Sequence, residues 1–154
     1  MSDQASFAAG PVSSAIFRVA RAHKALAARL LRETGLRPGQ ELVLMTLWER
    51  GPQRQVDLVD SLDSDAPTMA RSIARLERAG LVRRRPSPTD GRAMIVEATA
   101  AALALRQQVE SAWAELERVT AGGMAAKRRK DVLAMLADLE ANLAAAPIDE
   151  APPS

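Results

Sequence analysis

The sequence predicts a mainly α-helical fold with one small β-hairpin. Apolar residues recur three and four positions apart through most of the 154 residues, as they do on the buried face of a helix. Two short helical segments follow one another between residues 55 and 80, and a basic segment rich in Pro, Asp and Gly comes directly after them. Two short helices followed by a basic hairpin are typical of a winged helix-turn-helix.

Two helices are predicted before this segment. The first is expected to begin at a cap formed by Ser13 or Ser14 and to end at Gly35. The second follows Pro38 and is stopped by Gly51. Both carry apolar stripes, so each is expected to bury one face.

The two short helices come next and have clear start and stop signals. The third helix covers Gln55–Leu62, and Val56 lies on its predicted inward face. Asp65 is predicted to cap the fourth helix, because a carboxylate just before an apolar stripe can accept from the free backbone N–H groups of the first turn. Gly80 closes that helix.

The hairpin and two further helices complete the chain. The strands are predicted at Val82–Arg85 and Ala93–Ala98. The last two helices, separated by Gly122-Gly123, are amphipathic like the first. A second copy of the chain would cover these stripes, which predicts N- and C-terminal dimerisation helices and a homodimer; the alternative is that they pack on their own core. The expected regions are flexible tails at 1–12 and 144–154, dimerisation regions at 13–35 and 100–143, and a winged helix-turn-helix at 36–99.

Positive charge is concentrated in one part of the sequence. The whole chain has a net charge of only +2. From Ala66 to Ala98, however, seven arginines stand against three carboxylates, which gives +4 there and leaves −2 for the rest. A local basic surface on a nearly neutral protein indicates a docking face for a polyanion. The alternative is a solvated arginine-rich surface.

The composition excludes several classes of function. There is no cysteine and only one histidine, His23, which excludes disulfides, thiol redox chemistry and zinc sites built from Cys or His. No phosphate-binding Gly-rich loop or His–carboxylate pair is present. We therefore expect no enzyme, no catalytic residue, no metal and no cofactor. Since no leader pattern or membrane-length apolar run occurs, a cytoplasmic location is expected.

Four motifs, taken together in their order and spacing, resemble one protein family. They are Leu36–Leu47 leading to Gly51-Pro52, Leu58-x-x-x-Leu62, Arg75-Leu76-Glu77-x-x-Gly80-Leu81-Val82-x-Arg84, and Asp90-Gly91-Arg92 followed by Thr99. From about Ser14 to Leu143 the chain resembles the MarR-type transcriptional regulators. The resemblance implies a homodimer with interlocked terminal helices that binds pseudo-palindromic promoter DNA and is released by a small phenolic or aromatic ligand. Repression is the expected effect, because a bound dimer blocks a promoter.

The resemblance also implies which residues contact DNA. They lie on the fourth helix, before the third helix and on the wing: Arg54, Pro67, Thr68, Arg71, Arg75, Arg83, Arg85 and Arg92. Thr68 is expected to bond a phosphate or a base edge, Arg71 to read guanine, and Arg92 to enter the minor groove. Asp90 is expected to hold the wing loop without touching DNA. Because a strand alternates its faces, Arg84 should point away from its two neighbours. For the arginines other than Arg71 and Arg92, a solvated role is the alternative.

The expected effector pocket is lined by His23, Met45, Trp48 and Trp113, from the first, second and fifth helices, and would take a small, largely apolar ligand. A structural histidine and tryptophans that anchor the core are the alternative. The chain departs from the family at Arg54, which replaces a capping Ser or Thr, and at Gln53, which makes a third strand doubtful. The alternative function is a non-specific architectural DNA-binding module or a protein-binding winged helix.

Overall fold

The computed structural model describes residues 8–147. Within this range the chain forms six α-helices and a three-stranded antiparallel sheet, which confirms the predicted mainly α-helical fold with a small β wing. The elements are α1 (Pro11–Leu30), α2 (Gln40–Arg50), β1 (Gln53–Arg54), α3 (Gln55–Ser61), α4 (Ala66–Arg78), β2 (Val82–Pro86), β3 (Met94–Ala98), α5 (Ala100–Ala121) and α6 (Ala126–Ala145). The outer parts of both predicted tails, 1–7 and 148–154, lie outside the described residues.

The hydrophobic core lies in the first of two compact units, which meet between Glu117 and Arg118 within α5. Fully buried side chains of this core come from four helices and the central strand: Leu44, Leu58, Ile73, Leu76, Val96 and Val109. Burying one such side chain stabilises a fold by about 1.5–3 kcal/mol. Since α4 contributes both Ile73 and Leu76, this cluster fixes α4 against the helices and the sheet behind it.

The sheet has the strand order β1-β3-β2 and is antiparallel throughout. Val82 pairs with Ala98 and Arg84 pairs with Val96, while Arg54 of β1 pairs with Ile95. The doubt about a third strand was therefore wrong. A strand is joined to its neighbour by backbone N–H and C=O groups, which Gln53 supplies as well as a leucine would.

Helix α4 begins and ends as its sequence predicts. Asp65 is its N-cap and accepts a hydrogen bond from the backbone N–H of Thr68, and Met69 is buried together with the core residues of this helix. After the last helical residue, Gly80 adopts φ +75°, a left-handed conformation that favours glycine. The hydroxyl of Thr99 donates to the carbonyl of Gly80 at 2.6 Å, so the base of the hairpin is attached to the end of α4.

Two local predictions were wrong. Helix α1 begins at Pro11 after Gly10, with no side-chain cap, instead of starting at Ser13 or Ser14. Proline is favoured in the first turn because its φ is already helical and no N–H is needed there. In α3, Val56 is exposed rather than inward, because this short helix turns Leu58 into the core.

Candidate nucleic-acid interface

The first turn of α4 is held by one carboxylate. One oxygen of Asp65 accepts from the backbone N–H of Thr68 at 2.7 Å, and the other accepts from the Thr68 hydroxyl at 2.8 Å. These two bonds lower the pKa of Asp65 below its usual value, and the bond from the backbone N–H has the larger effect. Asp65 is therefore ionised at neutral pH. Pro67 lies in the same turn, where its missing N–H costs nothing.

The outward face of α4 is cationic. Arg71, Arg75 and Arg78 are exposed and lie four and three positions apart, opposite the buried stripe. Within residues 8–147 none of the three forms an ion pair. The Arg71 guanidinium donates to the hydroxyl oxygen of Thr68 at 3.3 Å. Arg78 was missed from the sequence, although its spacing from Arg75 places it on the same face.

The wing loop between β2 and β3 is closed by its own hydrogen bonds. Asp90 Oδ1 accepts from the backbone N–H of Arg92 at 3.2 Å, and the Ser87 hydroxyl accepts from the backbone N–H of Asp90 at 3.2 Å. The backbone N–H of Ser87 donates to the carbonyl of Ala93 at 2.8 Å. These bonds fix the backbone on both sides of Arg92. Its guanidinium is left exposed and, in the described part of the chain, without an ion pair.

The arginines of β2 alternate between two carboxylates. Arg83 forms an ion pair with Glu97 at 2.7 Å, and Arg85 reaches the other oxygen of Glu97 at 3.5 Å. Arg84 points the other way, as expected, and forms an ion pair with Glu77 of α4 at 3.1 Å. The bonds from Arg83 and Arg84 lower the pKa of Glu97 and of Glu77, respectively.

Sequence reasoning did not identify the roles of Glu77 and Glu97. The signal for Glu97 was available, because side chains of residues 83 and 85 share one face of a strand and residue 97 lies directly across from residue 83. The consequence is that Arg83 and Arg85, two of the expected DNA contacts, share one internal carboxylate. Among residues 8–147, the arginines of this face that form no ion pair are those of α4 and the one at the wing tip.

Arg54 and Arg92 are brought together in one recess. Arg54 precedes α3 without a side-chain cap, as expected, and instead donates to both oxygens of Asp57 at 3.0 and 3.1 Å. A recess of about 300 Å³ between α3, the start of α4 and the wing is lined by both arginines and by Arg84. Arg54 and Arg84 are already paired with Asp57 and Glu77, so Arg92 is the arginine of this recess that forms no ion pair within residues 8–147.

The four expected effector residues lie on three helices. His23 is half-buried on α1, while Met45 and Trp48 on α2 and Trp113 on α5 pack against the core. The indole N–H groups of Trp48 and Trp113 are buried, and no residue from 8 to 147 accepts a hydrogen bond from them. A separate open cavity of about 520 Å³ lies between the end of α1 and α5, and it is lined by other residues, mostly polar.

Within residues 8–147 no cluster of three or more His, Asp or Glu side chains could hold a metal ion. None of the helices there combines the length and the apolarity needed to cross a membrane.

Comparison with known proteins agrees with this geometry. Residues 36–94 match the model of the MarR family. The chain is similar to a probable transcriptional regulator from Pseudomonas aeruginosa, with 27% identity over 83% of this chain and 96% of that chain and a TM-score of 0.76. It is also similar to a mutant of E. coli MarR complexed with operator DNA, with 22% identity, 84% and 93% coverage and a TM-score of 0.78. A third similar structure concerns Bordetella bronchiseptica BpsR, whose DNA binding is regulated by 6-hydroxynicotinic acid, with 24% identity, 84% and 92% coverage and a TM-score of 0.78.

The matched segment starts before α2 and includes the helix-turn-helix, both arginine-bearing faces and the wing loop. Members of this family regulate transcription and are not enzymes, which confirms the expectation that this chain is not an enzyme. The winged helix-turn-helix of this chain therefore matches the MarR family of transcriptional regulators, and the chain is similar to a probable transcriptional regulator over 83% of its length.

Proposed function

We propose that this protein is a repressor that binds a pseudo-palindromic operator in double-stranded promoter DNA as a homodimer. The observation that carries the proposal is the row of exposed arginines along α4 beside Arg92 of the wing, none of which forms an ion pair in the part of the chain that the structure describes. At about 1.5 Å per residue, the 13 residues of α4 span about 20 Å, which suits a helix that lies in the major groove. The operator complex of the E. coli protein supports this arrangement.

The proposed contacts divide into those that read bases and those that bind the backbone. Arg71 reads guanine and Arg92 enters the minor groove, because both are exposed and neither forms an ion pair within residues 8–147. The wing arginine depends on Asp90, which holds its loop. The remaining proposed DNA-contacting residues lie before α3, on α4 and on β2: Arg54, Pro67, Thr68, Arg75, Arg83 and Arg85.

The homodimer is supported by apolar surface on the terminal helices. In α1, Val12, Ile16 and Val19 lie four and three positions apart and are 57%, 42% and 63% exposed. Helix α6 has no buried residue, and its Leu133, Leu136 and Leu143 are 67%, 54% and 71% exposed. Large apolar side chains at helical spacing are costly in water. A second copy of the chain would cover these faces and place the two α4 helices of the dimer on one palindromic site.

We also propose a small aromatic or phenolic effector that binds near His23, Met45, Trp48 and Trp113 and releases the DNA. Two observations support it. The indole N–H groups of both tryptophans are buried without an acceptor within the described residues, which a polar ligand atom would supply. BpsR responds to an aromatic acid. A titration with such acids that leaves both Trp fluorescence and DNA affinity unchanged would count against this effector.

The operator proposal is tested by fluorescence anisotropy with DNA from upstream of the protein's own gene and a scrambled duplex, at several salt concentrations. The expected result is tight binding to one duplex that resists competitor and weakens steeply with salt. Enrichment of a motif from random duplexes tests the same specificity if the operator lies elsewhere. Equal weak binding to all sequences would contradict the proposal and favour an architectural role.

The proposed place of action is the cytoplasm, where the promoter DNA lies.

A further inference from the structure

Thr68 has two polar hydrogens, and Asp65 accepts both. The backbone N–H points to one carboxylate oxygen at 2.7 Å and the hydroxyl to the other at 2.8 Å. An ionised carboxylate has no hydrogen of its own, so the hydroxyl must be the donor in the second bond. Thr68 therefore has no hydrogen left for any other partner while this arrangement lasts.

The hydroxyl oxygen of Thr68 is left with acceptor capacity alone. It has two lone pairs. One faces Arg71 Nη2 at 3.3 Å, and the other is open to solvent, since Thr68 is exposed on the first turn of α4. A phosphate group offers acceptors only, and so do guanine and thymine at O6 and O4 in the major groove. None of these can bond an oxygen that can only accept.

We infer that Thr68 reads an exocyclic amino group in the major groove, N4 of cytosine or N6 of adenine, and that Asp65 sets this preference by holding both hydrogens of Thr68. The inference rests on the proposed operator binding. It replaces the broader expectation of a phosphate or any base edge with one kind of hydrogen-bonding group. Arg71, three positions on, carries donors only. The two neighbouring side chains thus recognise opposite groups on the DNA.

The test uses the full chain and a half-site selected from random duplexes by the parent protein. Each cytosine of that duplex is replaced in turn by N4-methylcytosine, and each adenine by N6-methyladenine. These bases still pair, but the methyl group takes the place of the hydrogen that faces the groove. At one position per half-site, the parent is expected to lose affinity by about twofold to tenfold, the range for one hydrogen bond. Which base responds distinguishes cytosine from adenine.

Two variants assign the loss to Thr68. Thr68→Val removes the hydroxyl with little change of shape, so it should bind the unmodified duplex more weakly and be insensitive to methylation at that one position. Thr68→Ser keeps the acceptor and should retain the parent's sensitivity. Asp65→Asn keeps a helix cap but frees the hydroxyl, so selection with this variant should also enrich guanine or thymine there.

The outcomes separate two failures. If a motif is selected but Thr68→Val loses the same affinity on methylation as the parent, Thr68 does not bind the amino group. That outcome would overturn the inference and leave the operator proposal intact. The absence of any enriched motif with the parent protein would overturn the operator proposal and the inference with it. Thermal unfolding of each variant confirms that the comparison is made between folded proteins.

Discussion

Arg84 of the wing is bonded to Glu77 of α4 through both its side chain and its backbone. Its Nη2 reaches Glu77 Oε1 at 3.1 Å, and its backbone N–H donates to Glu77 Oε2 at 3.2 Å. One carboxylate thus joins the last turn of α4 to β2. This contact holds in a fixed relation the two elements that we propose to bind DNA, α4 in the major groove and the wing in the minor groove.

We expect Glu77→Gln to lower thermal stability at neutral pH and to lose this effect in acid. The bonds from Arg84 lower the pKa of Glu77 in the folded chain below its value of 4.5 in the unfolded chain. The contribution to stability is therefore fully present above pH 4.5 and disappears as the pH falls through the lower folded pKa. The measurement is the melting temperature by circular dichroism between pH 2.5 and pH 7, read as the difference between variant and parent.

The matched control for this prediction is Glu110→Gln, which breaks an exposed ion pair with Arg106 within α5. Pairs of that kind contribute little. A Glu77→Gln difference that stays constant across the pH range would show that the ionised carboxylate does not cause it. A difference no larger than that of the control would show that the contact between α4 and β2 does not stabilise the fold.

Glu97→Gln is expected to strengthen DNA binding and to make it more dependent on salt. The substitution removes the carboxylate shared by Arg83 and Arg85, so both guanidinium groups become available to phosphates. Each additional phosphate contact should steepen the slope of log K against log salt by about 0.9. Anisotropy titrations from low to high salt measure that slope. Glu110→Gln again serves as the control, since it changes the net charge equally at a distance from the wing.

A slope that does not change in Glu97→Gln would mean that Arg83 and Arg85 lie out of reach of the DNA backbone. These two residues would then be removed from the proposed contacts, and the carboxylate would have a purely structural role within the hairpin.

Arg92→Ala is expected to weaken binding to all sequences and to reduce the salt slope by about one contact. The guanidinium is exposed at the wing tip and forms no ion pair in the described part of the chain, so no internal partner offsets its loss. The measurement is the same titration on specific and scrambled duplexes. Asp90→Ala should produce a smaller loss in the same direction, because it releases the loop without removing the cation. Parent-like binding by Arg92→Ala would place the wing away from the DNA.

Leu136→Glu is expected to convert the proposed homodimer into monomers and to abolish tight operator binding. Leu136 lies on the exposed apolar face of α6, and a charge buried in a dimer interface without a partner is strongly destabilising. Light scattering coupled to size exclusion gives the mass directly. Ala134→Glu adds the same charge about 200° round the helix and should remain dimeric. Two variants with equal masses would show that this face of α6 is not the interface.

Some features of this protein follow from short stretches of sequence. The bounds of α4 could be predicted from its apolar stripe of Met69, Ile73 and Leu76, from the Asp65 cap and from the glycine that follows it. Periodicity and capping act within one or two helical turns, so they can be read from a short segment. The alternation of β2 likewise predicted that Arg84 points away from its neighbours.

Other features were decided only by the tertiary structure. The short strand at Gln53, the exposure of Val56, and the assignment of Glu97 and Glu77 to the arginines of β2 all depend on residues distant in sequence. Strand pairing is made by backbone groups, so β1 could not be predicted from the types of its side chains. An arginine next to DNA and one held by an internal carboxylate look alike in sequence. The difference between them is a cross-strand register, and register is fixed by how the hairpin packs its central strand on the core.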